Sequence, residues 1–242
     1  MSVSSTWILR ESSNDIKRRE MLVLITGSSG GIGCAAAVYF LDNGHEVYGI
    51  DINASAIDHP MYRHCTADIT DPQSYEKQLP EGFSPEILVN CAGVQESGRD
   101  IDVNLKGLIG ITERYAVTNP EIKAVVNIGS ASGHTGAEFP EYAASKGGVI
   151  AYTRNVAQRI APRAVCNSID PGGVRTELNS CVMNDQALWN RIMAVTPLKR
   201  WAEPEEIAEW IYFLAVRNRF MTGQNLLIDG GEAGRFDFVW PE

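Results

Sequence analysis

Met21-Leu-Val-Leu-Ile-Thr26, followed at once by Gly27-Ser-Ser-Gly30-Gly31-Ile-Gly33, is the stretch on which the fold turns. Its first six residues are a continuous apolar run rich in branched side chains, as expected of a strand buried on both faces of a parallel sheet. Cys34-Ala-Ala-Ala-Val-Tyr-Phe-Leu41 then has helical composition and stops at Asn43-Gly44, a helix terminator. A second apolar run, 46–50, ends at Asp51. The unit reads strand, glycine turn, helix, strand, closed by an acid.

The glycines of the turn serve close approach. Gly27 permits a tight exit from the strand, Gly31 lets backbone come near a diphosphate, and Gly33 lets the helix lie against the sheet. Ser29 and Ile32 complete the cradle. The helix start offers unpaired N–H groups and a positive dipole end to an anion. Asp51 follows Gly33 by 18 positions, which suits a carboxylate accepting hydrogen bonds from adenosine ribose hydroxyls and repelling a 2′-phosphate. No Lys or Arg lies in 26–33 or just after Asp51, so the expected cofactor is NAD(H) in preference to NADP(H).

A second chemical segment lies downstream. Ala124-Val-Val-Asn-Ile128 is another buried-strand run, and it ends at Gly129-Ser130-Ala131-Ser132-Gly133. Ligands of parallel α/β sheets bind beyond the carboxyl ends of the strands, so Ser130 faces the same crevice. Tyr142 opens a helical segment reaching about Ile160, and Lys146 lies one turn on, on the same face. A phenol titrates near pH ~10 and is a poor base at neutral pH. A neighbouring ammonium, with the positive charge of an oxidised nicotinamide, favours the phenolate. Such a tyrosine can take a proton from an alcohol as hydride leaves, or return it to a ketone. Ser130 would hydrogen-bond the substrate oxygen, and Lys146 could also hold the nicotinamide ribose.

These motifs resemble the short-chain dehydrogenase/reductase family over roughly 21–231. Thr26-Gly27-x-x-x-Gly31-x-Gly33 is similar to the family's cofactor turn. Asp68-Ile69 resembles its adenine-contacting pair, and Asn90-Cys91-Ala92-Gly93 its Asn-Asn-Ala-Gly strand end. Asn104 resembles the Asn that joins Ser130, Tyr142 and Lys146 in a catalytic tetrad through a water relay. Pro171-Gly172-Gly173-Val174-Arg175-Thr176 resembles the segment lying against the nicotinamide, with Val174 and Thr176 at the carboxamide. Asp229-Gly230-Gly231 is similar to the family's ending after the last strand. The resemblance implies a single-domain, doubly wound Rossmann-type α/β fold. It also implies homotetramers or homodimers built through the helix after Asn104, the Tyr142 helix, and the last helix and strand.

Two departures stand out. Asn90 and Asn104 are only 14 positions apart, shorter than usual for the family, so a more open or differently walled pocket and a changed start to the Asn104 helix are expected. Ser130 precedes Tyr142 by 12 positions, one fewer than the commonest spacing, which makes Ser132 a second candidate. Ser130 is preferred because it directly follows the strand-end glycine.

Composition bounds the rest. The 242 residues, 44% hydrophobic, suffice for one large α/β domain. Net charge is −9 with no basic stripe, which argues against nucleic acid or an anionic membrane as partner. No apolar run approaches membrane-spanning length, and the N-terminus lacks a signal core with a cleavage site. Five scattered cysteines without Cys-x-x-Cys spacing read as reduced, mostly buried residues of a cytoplasmic protein. Four histidines show no zinc spacing, so no metal is expected. His59 and His64 read as loop residues, while His134, just past Ser130, is a candidate substrate contact or a plain loop residue.

Strands are expected near 22–26, 46–50, 61–66, 86–90, 124–129, 164–169 and 225–229, with helices between most of them, which predicts a parallel sheet. Residues 1–20 read as an appended extension, with Met21 a possible natural start, and 21–242 as the domain. Segment 177–200 reads as the substrate lid. Its Leu178, Val182, Met183, Leu188, Trp189, Ile192 and Met193 either line a pocket for a bulky apolar substrate or form the lid's buried face. The tail 232–242 carries three aromatics, expected at a subunit contact or over a pocket mouth. The expected reaction is NAD(H)-dependent interconversion of a secondary alcohol and a ketone, hydroxysteroid-like or otherwise apolar. A 3-oxoacyl thioester, a polyol and a non-catalytic NAD-binding sensor or structural subunit are the alternatives.

Overall fold

Among the described residues, seven short runs of branched and apolar residues become seven strands, and helices fill all but one of the connections, so that each strand starts from the same end of the sheet. The computed structural model describes residues 20–137 and 139–234. In chain order these are β1 (Leu22–Thr26), α1 (Gly31–Asp42), β2 (Glu46–Asp51), β3 (Tyr62–Thr66), α2 (Pro72–Glu76) and β4 (Ile87–Asn90). Next come α3 (Leu108–Thr112), β5 (Ala124–Ile128), α4 (Ala131–Thr135), α5 (Pro140–Ile160) and β6 (Val165–Pro171). The chain continues through α6 (Ser180–Met183), α7 (Gln186–Val195), α8 (Pro204–Tyr212) and β7 (Asn225–Ile228). Helix α3 is flanked by π-helical turns at Asp102–Gly107 and Glu113–Val117.

Every strand pairing is parallel, in the order β3-β2-β1-β4-β5-β6-β7. The order reverses between β1 and β4, so a crevice opens there at the carboxyl ends of the strands. The central strands are buried on both faces, β4 and β5 without an exposed residue. That is why they read as continuous apolar runs rather than alternating ones.

Apolar packing divides into one cluster on each face. One joins Phe40, Val23, Val126, Ile207, Ile211 and Tyr212 under α1 and α8. The other joins Tyr75, Leu88, Ile111, Tyr115, Val156 and Ile160 under α2, α3 and α5. The result is a three-layer α/β sandwich of one domain. The strands fall within a residue or two of their expected places. The Tyr142 helix starts two residues earlier, because Pro140 occupies its first turn where a missing N–H costs nothing. His64 lies in β3 rather than in a loop. Of the cysteines, all five free, Cys65 and Cys166 are buried, Cys34 and Cys91 partly so, and Cys181 is exposed. The expected extension and the aromatics of the tail fall on 1–19 and 235–242, outside the described residues.

Helix α1 sits unusually close to the sheet. A Cβ on Gly33 would lie 2.7 Å from the carbonyl carbon of Gly27 and 3.2 Å from Cys91 Cβ. Backbone cannot swing aside as a side chain can, so Gly33→Ala is expected to cost about 1–3 kcal/mol or more, read as a lowered urea midpoint with unchanged slope.

Candidate active site

The strand order brings four carboxyl ends together, those of β1, β4, β5 and β6. At β1, Gly27 adopts φ 71° and a Cβ there would meet the Ala92 backbone at 2.7 Å. Gly31 adopts φ 50° and has only the Thr176 side chain near it. Nothing stands over Gly30. Helix α1 begins at that turn without a side-chain cap and without an acid in its first turn. Its first N–H groups and its positive dipole end are therefore available to an anion. This open cradle of glycines fits the diphosphate of a dinucleotide.

Asp51, at the end of β2, is held from two sides. Its Oδ2 accepts from the Ser29 N–H at 3.0 Å and its Oδ1 from the Asn53 N–H at 2.9 Å. The Ser29 hydroxyl donates to Asn53 O at 2.9 Å. The sequence reading missed the support beneath. Tyr62 Oη lies 3.0 Å from Ser28 Oγ and 3.1 Å from His64 Nδ1, and His64 Nε2 lies 2.9 Å from Asn53 O. These side chains alternate along β3, but no short motif marks them.

Asp68 accepts from Thr70 and from Arg99 at 2.9 Å. Burial raises its carboxyl, but the Thr70 and Arg99 hydrogen bonds outweigh that and leave it below the usual carboxylate range. Ile69 is buried against Gly107. The side chain of Asn90 is turned into the protein rather than toward the crevice. It donates to Thr112 Oγ1 at 2.9 Å and to Asn127 Oδ1 at 2.8 Å inside the protein. Buried amides need partners, and those of Asn90 lie on the neighbouring strand and helix. Val174 is likewise buried in the core, so only its backbone, bridged to Ala202, lines the loop after β6. Pro171 is buried at the end of β6, and the Gly172 N–H is used on Ile228 O at 3.0 Å.

Ser130, Tyr142, Lys146 and Asn104 gather around the end of β5. Ser130 is the N-cap of α4, and its Oγ accepts from the Ser132 N–H at 3.1 Å. Ser132, the second candidate, is partly exposed two residues on. Lys146 is 5% exposed, donates to Ile128 O at 2.9 Å, and has its Nζ 5.7 Å from the centre of the half-buried Tyr142 ring. Gly93 fits between Asn104 and Lys146, since a Cβ there would lie 3.3 Å from Asn104 Oδ1 and 3.5 Å from Lys146 Nζ.

Asn104, fully buried in a π-helical turn, spends its amide on structure. It accepts from the Val94 N–H at 2.8 Å, donates to Val94 O at 2.8 Å, and donates to Ser145 Oγ at 3.1 Å. The short segment after Asn90 is thereby closed into a compact loop. Asp100 accepts from the Glu96 and Ser97 N–H groups in the same loop. The helix that follows starts as the π-helical turn Asp102–Gly107.

His134 lies in the last turn of α4 and reaches β6, its Nε2 2.5 Å from Asp170 Oδ2, with its side chain 29% exposed. Among the lid residues, Leu178 is 53% exposed and the other six apolar side chains are half-buried. They form a partly covered stripe rather than a buried face. Trp189 of α7 stands edge-on to Trp201 at 5.0 Å.

Asn104→Ala would leave the Val94 N–H and C=O and the Ser145 hydroxyl without that amide. A loss of at least about 1–3 kcal/mol in equilibrium unfolding is expected, with Asn104→Asp recovering only the bond from the Val94 N–H.

The comparisons with known proteins agree with this fold. A family model described as enoyl-(acyl carrier protein) reductase matches residues 27–232. The chain is 31% identical to the 3-oxoacyl-(acyl-carrier-protein) reductase of Vibrio cholerae, over 87% of this chain and 96% of that protein. It is 27% identical to the (3R)-3-hydroxyacyl-CoA dehydrogenase of Mus musculus, over 90% and 98%. Among solved structures, the ligand-free aldohexose dehydrogenase of Thermoplasma acidophilum superposes with TM-score 0.83 at 30% identity, covering 93% of this chain and 99% of that one. A 4-hydroxyisoleucine dehydrogenase complexed with NADH does so with TM-score 0.80 at 30% identity, covering 90% and 100%. The chain belongs to the short-chain dehydrogenase/reductase family, nicotinamide-dependent oxidoreductases that interconvert CH–OH and keto groups.

Proposed function

We propose that this protein is an NAD(H)-linked dehydrogenase that interconverts a secondary alcohol bearing apolar substituents with its ketone. The observation that carries the reading is the buried Lys146 amine, fixed on Ile128 O beside the Tyr142 ring at the carboxyl end of β5. A positive charge there favours the phenolate, so Tyr142 is the group that takes or returns the proton at the substrate oxygen. Ser130, at the helix start beside it, hydrogen-bonds that oxygen. Asn104 keeps the loop after β4 in place behind Lys146. The nicotinamide, when bound, supplies the carbon that accepts or donates hydride.

Cofactor choice rests on Asp51. Its carboxylate is pre-oriented by the Ser29 and Asn53 N–H groups, which leaves its remaining lone pairs for ribose hydroxyls and sets a negative charge where a 2′-phosphate would lie. The half-buried stripe on α6 and α7 supports an apolar substrate under the lid, hydroxysteroid-like in character. The names of the acyl-thioester relatives favour a second reading, interconversion of 3-hydroxyacyl and 3-oxoacyl thioesters. We read the protein as cytoplasmic and as a homodimer or homotetramer. The partly exposed Trp210 and Phe213 on α8 and the π-turn after it, with Leu227 on the edge strand β7, support self-association.

The deciding experiment follows reduced-nicotinamide absorbance with NAD and a panel of hydroxysteroids, other secondary alcohols, 3-hydroxyacyl thioesters and polyols. Turnover of an apolar secondary alcohol, lowered about 10²–10⁴-fold in Tyr142→Phe, is expected. Turnover confined to the thioesters would install the second reading, and NAD binding without any turnover would sink both. In Asp51→Ser, kcat/KM for NADP is expected to rise relative to NAD by at least about tenfold, from the charge removed beside the 2′ position. An unchanged ratio would remove Asp51 from cofactor choice.

A further inference from the structure

Asp170 is fully buried one residue before the loop that follows β6. Its Oδ1 accepts from the Ser168 hydroxyl at 2.8 Å, and its Oδ2 meets His134 Nε2 at 2.5 Å. The ionisable side chains acting on it are His134 from α4 and Lys146 from α5. The neighbouring strand end offers Asp229, which is turned away onto the Gly231 and Ala233 N–H groups. Nothing in the proposed chemistry uses this acid. Burial raises its carboxyl, and the His134 and Ser168 hydrogen bonds oppose that rise. A carboxylate withdrawn from water persists only when such partners are present.

Its position is informative. Gly129, directly before Ser130, lies against it, and a Cβ there would be 2.9 Å from Asp170 Cγ. Gly129 also donates its N–H to Ile169 O at 2.8 Å. Ser130 then caps α4, a helix of only five residues with none buried. A helix so short does not hold itself together in water, so its place is set by outside contacts. His134, in its last turn, supplies such a contact to β6. Gly133 supplies another, since a Cβ there would be 2.8 Å from the Lys146 backbone. From Asp170 the chain runs directly into Pro171 and Gly172.

We propose that His134 and Asp170 form a positioning pair that fixes the Ser130 turn against the 171–176 loop. The pair sets the distance between the donor to the substrate oxygen and the wall expected beside the nicotinamide. The inference rests on the reading of Ser130 and that loop given under Proposed function. His134 acts through Asp170 and α4, so its loss releases the Ser130 turn, while the 171–176 loop stays with the glycine cradle through Thr176 and through its own bonds to Ile228 and Ala202.

The test compares wild type with His134→Leu, His134→Gln and His134→Asn on an alcohol found by the panel. Gln carries an N–H donor to the place of the imidazole Nε2, and Asn does not reach it. A displacement of the Ser130 turn on the order of 1 Å is expected to lower kcat/KM for the alcohol by roughly 10²-fold in the Leu and Asn variants. The Kd for NAD, from protein fluorescence, stays within about twofold of wild type, because the glycine cradle and the 171–176 loop keep contacts that do not pass through His134. The Gln variant recovers most of the activity. Because Gln and Asn differ only in reach, their comparison stands even where the Leu variant does not fold. Wild-type kinetics in Leu and Asn would overturn the inference. So would equal losses in Gln and Asn, or a loss of NAD affinity and Tm that parallels the loss of kcat/KM. A silent wild type overturns the enzyme reading, and this inference with it, before any variant is made.

Discussion

The contact of Gly33 with the carbonyl of Gly27 is the constraint on which the rest of the molecule depends. It seats α1 on β1 with no side chain between them. The helix is then packed along its length, with Ala36, Ala37 and Phe40 fully buried and Phe40 5.3 Å from the Tyr212 ring of α8. Its N-terminus is pinned beyond the paired carboxyl ends of β1 and β4. Gly27 touches the end of β4 at Ala92, and Gly31 touches Thr176 beyond β6. One close approach therefore brings together a cradle for an anion and the loops that wall the reacting end of the crevice.

Beneath those loops the sheet is stitched by polar side chains rather than by apolar packing alone. Asn90, Asn127, Thr112 and Thr153 form a buried chain across β4, β5, α3 and α5. Each bond adds modestly to net stability, but breaking one strands a partner away from water, which costs more. Such a network resists small shifts in register. It gives the strand ends carrying Ser130 and Gly93 a stiff base, as a site that depends on fractions of an ångström requires.

Much of this was legible in the sequence because the cues were local. Strand runs, the glycine turn and the Tyr142–Lys146 spacing are set by neighbours within one element, and the helix and strands lie where those patterns put them. What stayed hidden joins residues far apart in the chain. His134 and Asp170 are 36 positions apart, and Ser28 and Tyr62 are 34 apart. Asn90 shows the limit in the other direction. Its place at a strand end was right, but the side of the strand it serves depends on Asn127 and Thr112, which the local pattern does not reveal. The half-covered stripe on α6 and α7 matches neither simple reading of the lid, because a helical period gives a face and not how deeply that face is covered.

The Arg99–Asp68 pair joins the compact loop after β4 to the chain just beyond β3. Arg99 makes the tie with two bonds of 2.9 Å, to Asp68 Oδ2 and to Thr70 Oγ1, and the ion pair lies between side chains 52% and 32% exposed. Exposed ion pairs are screened as ionic strength rises, on a length scale of roughly 8 Å at physiological salt. Mechanical coupling between the two segments is therefore tuned by the surrounding electrolyte: firm in dilute buffer and slack in brine, while the buried stitching beneath is indifferent to both.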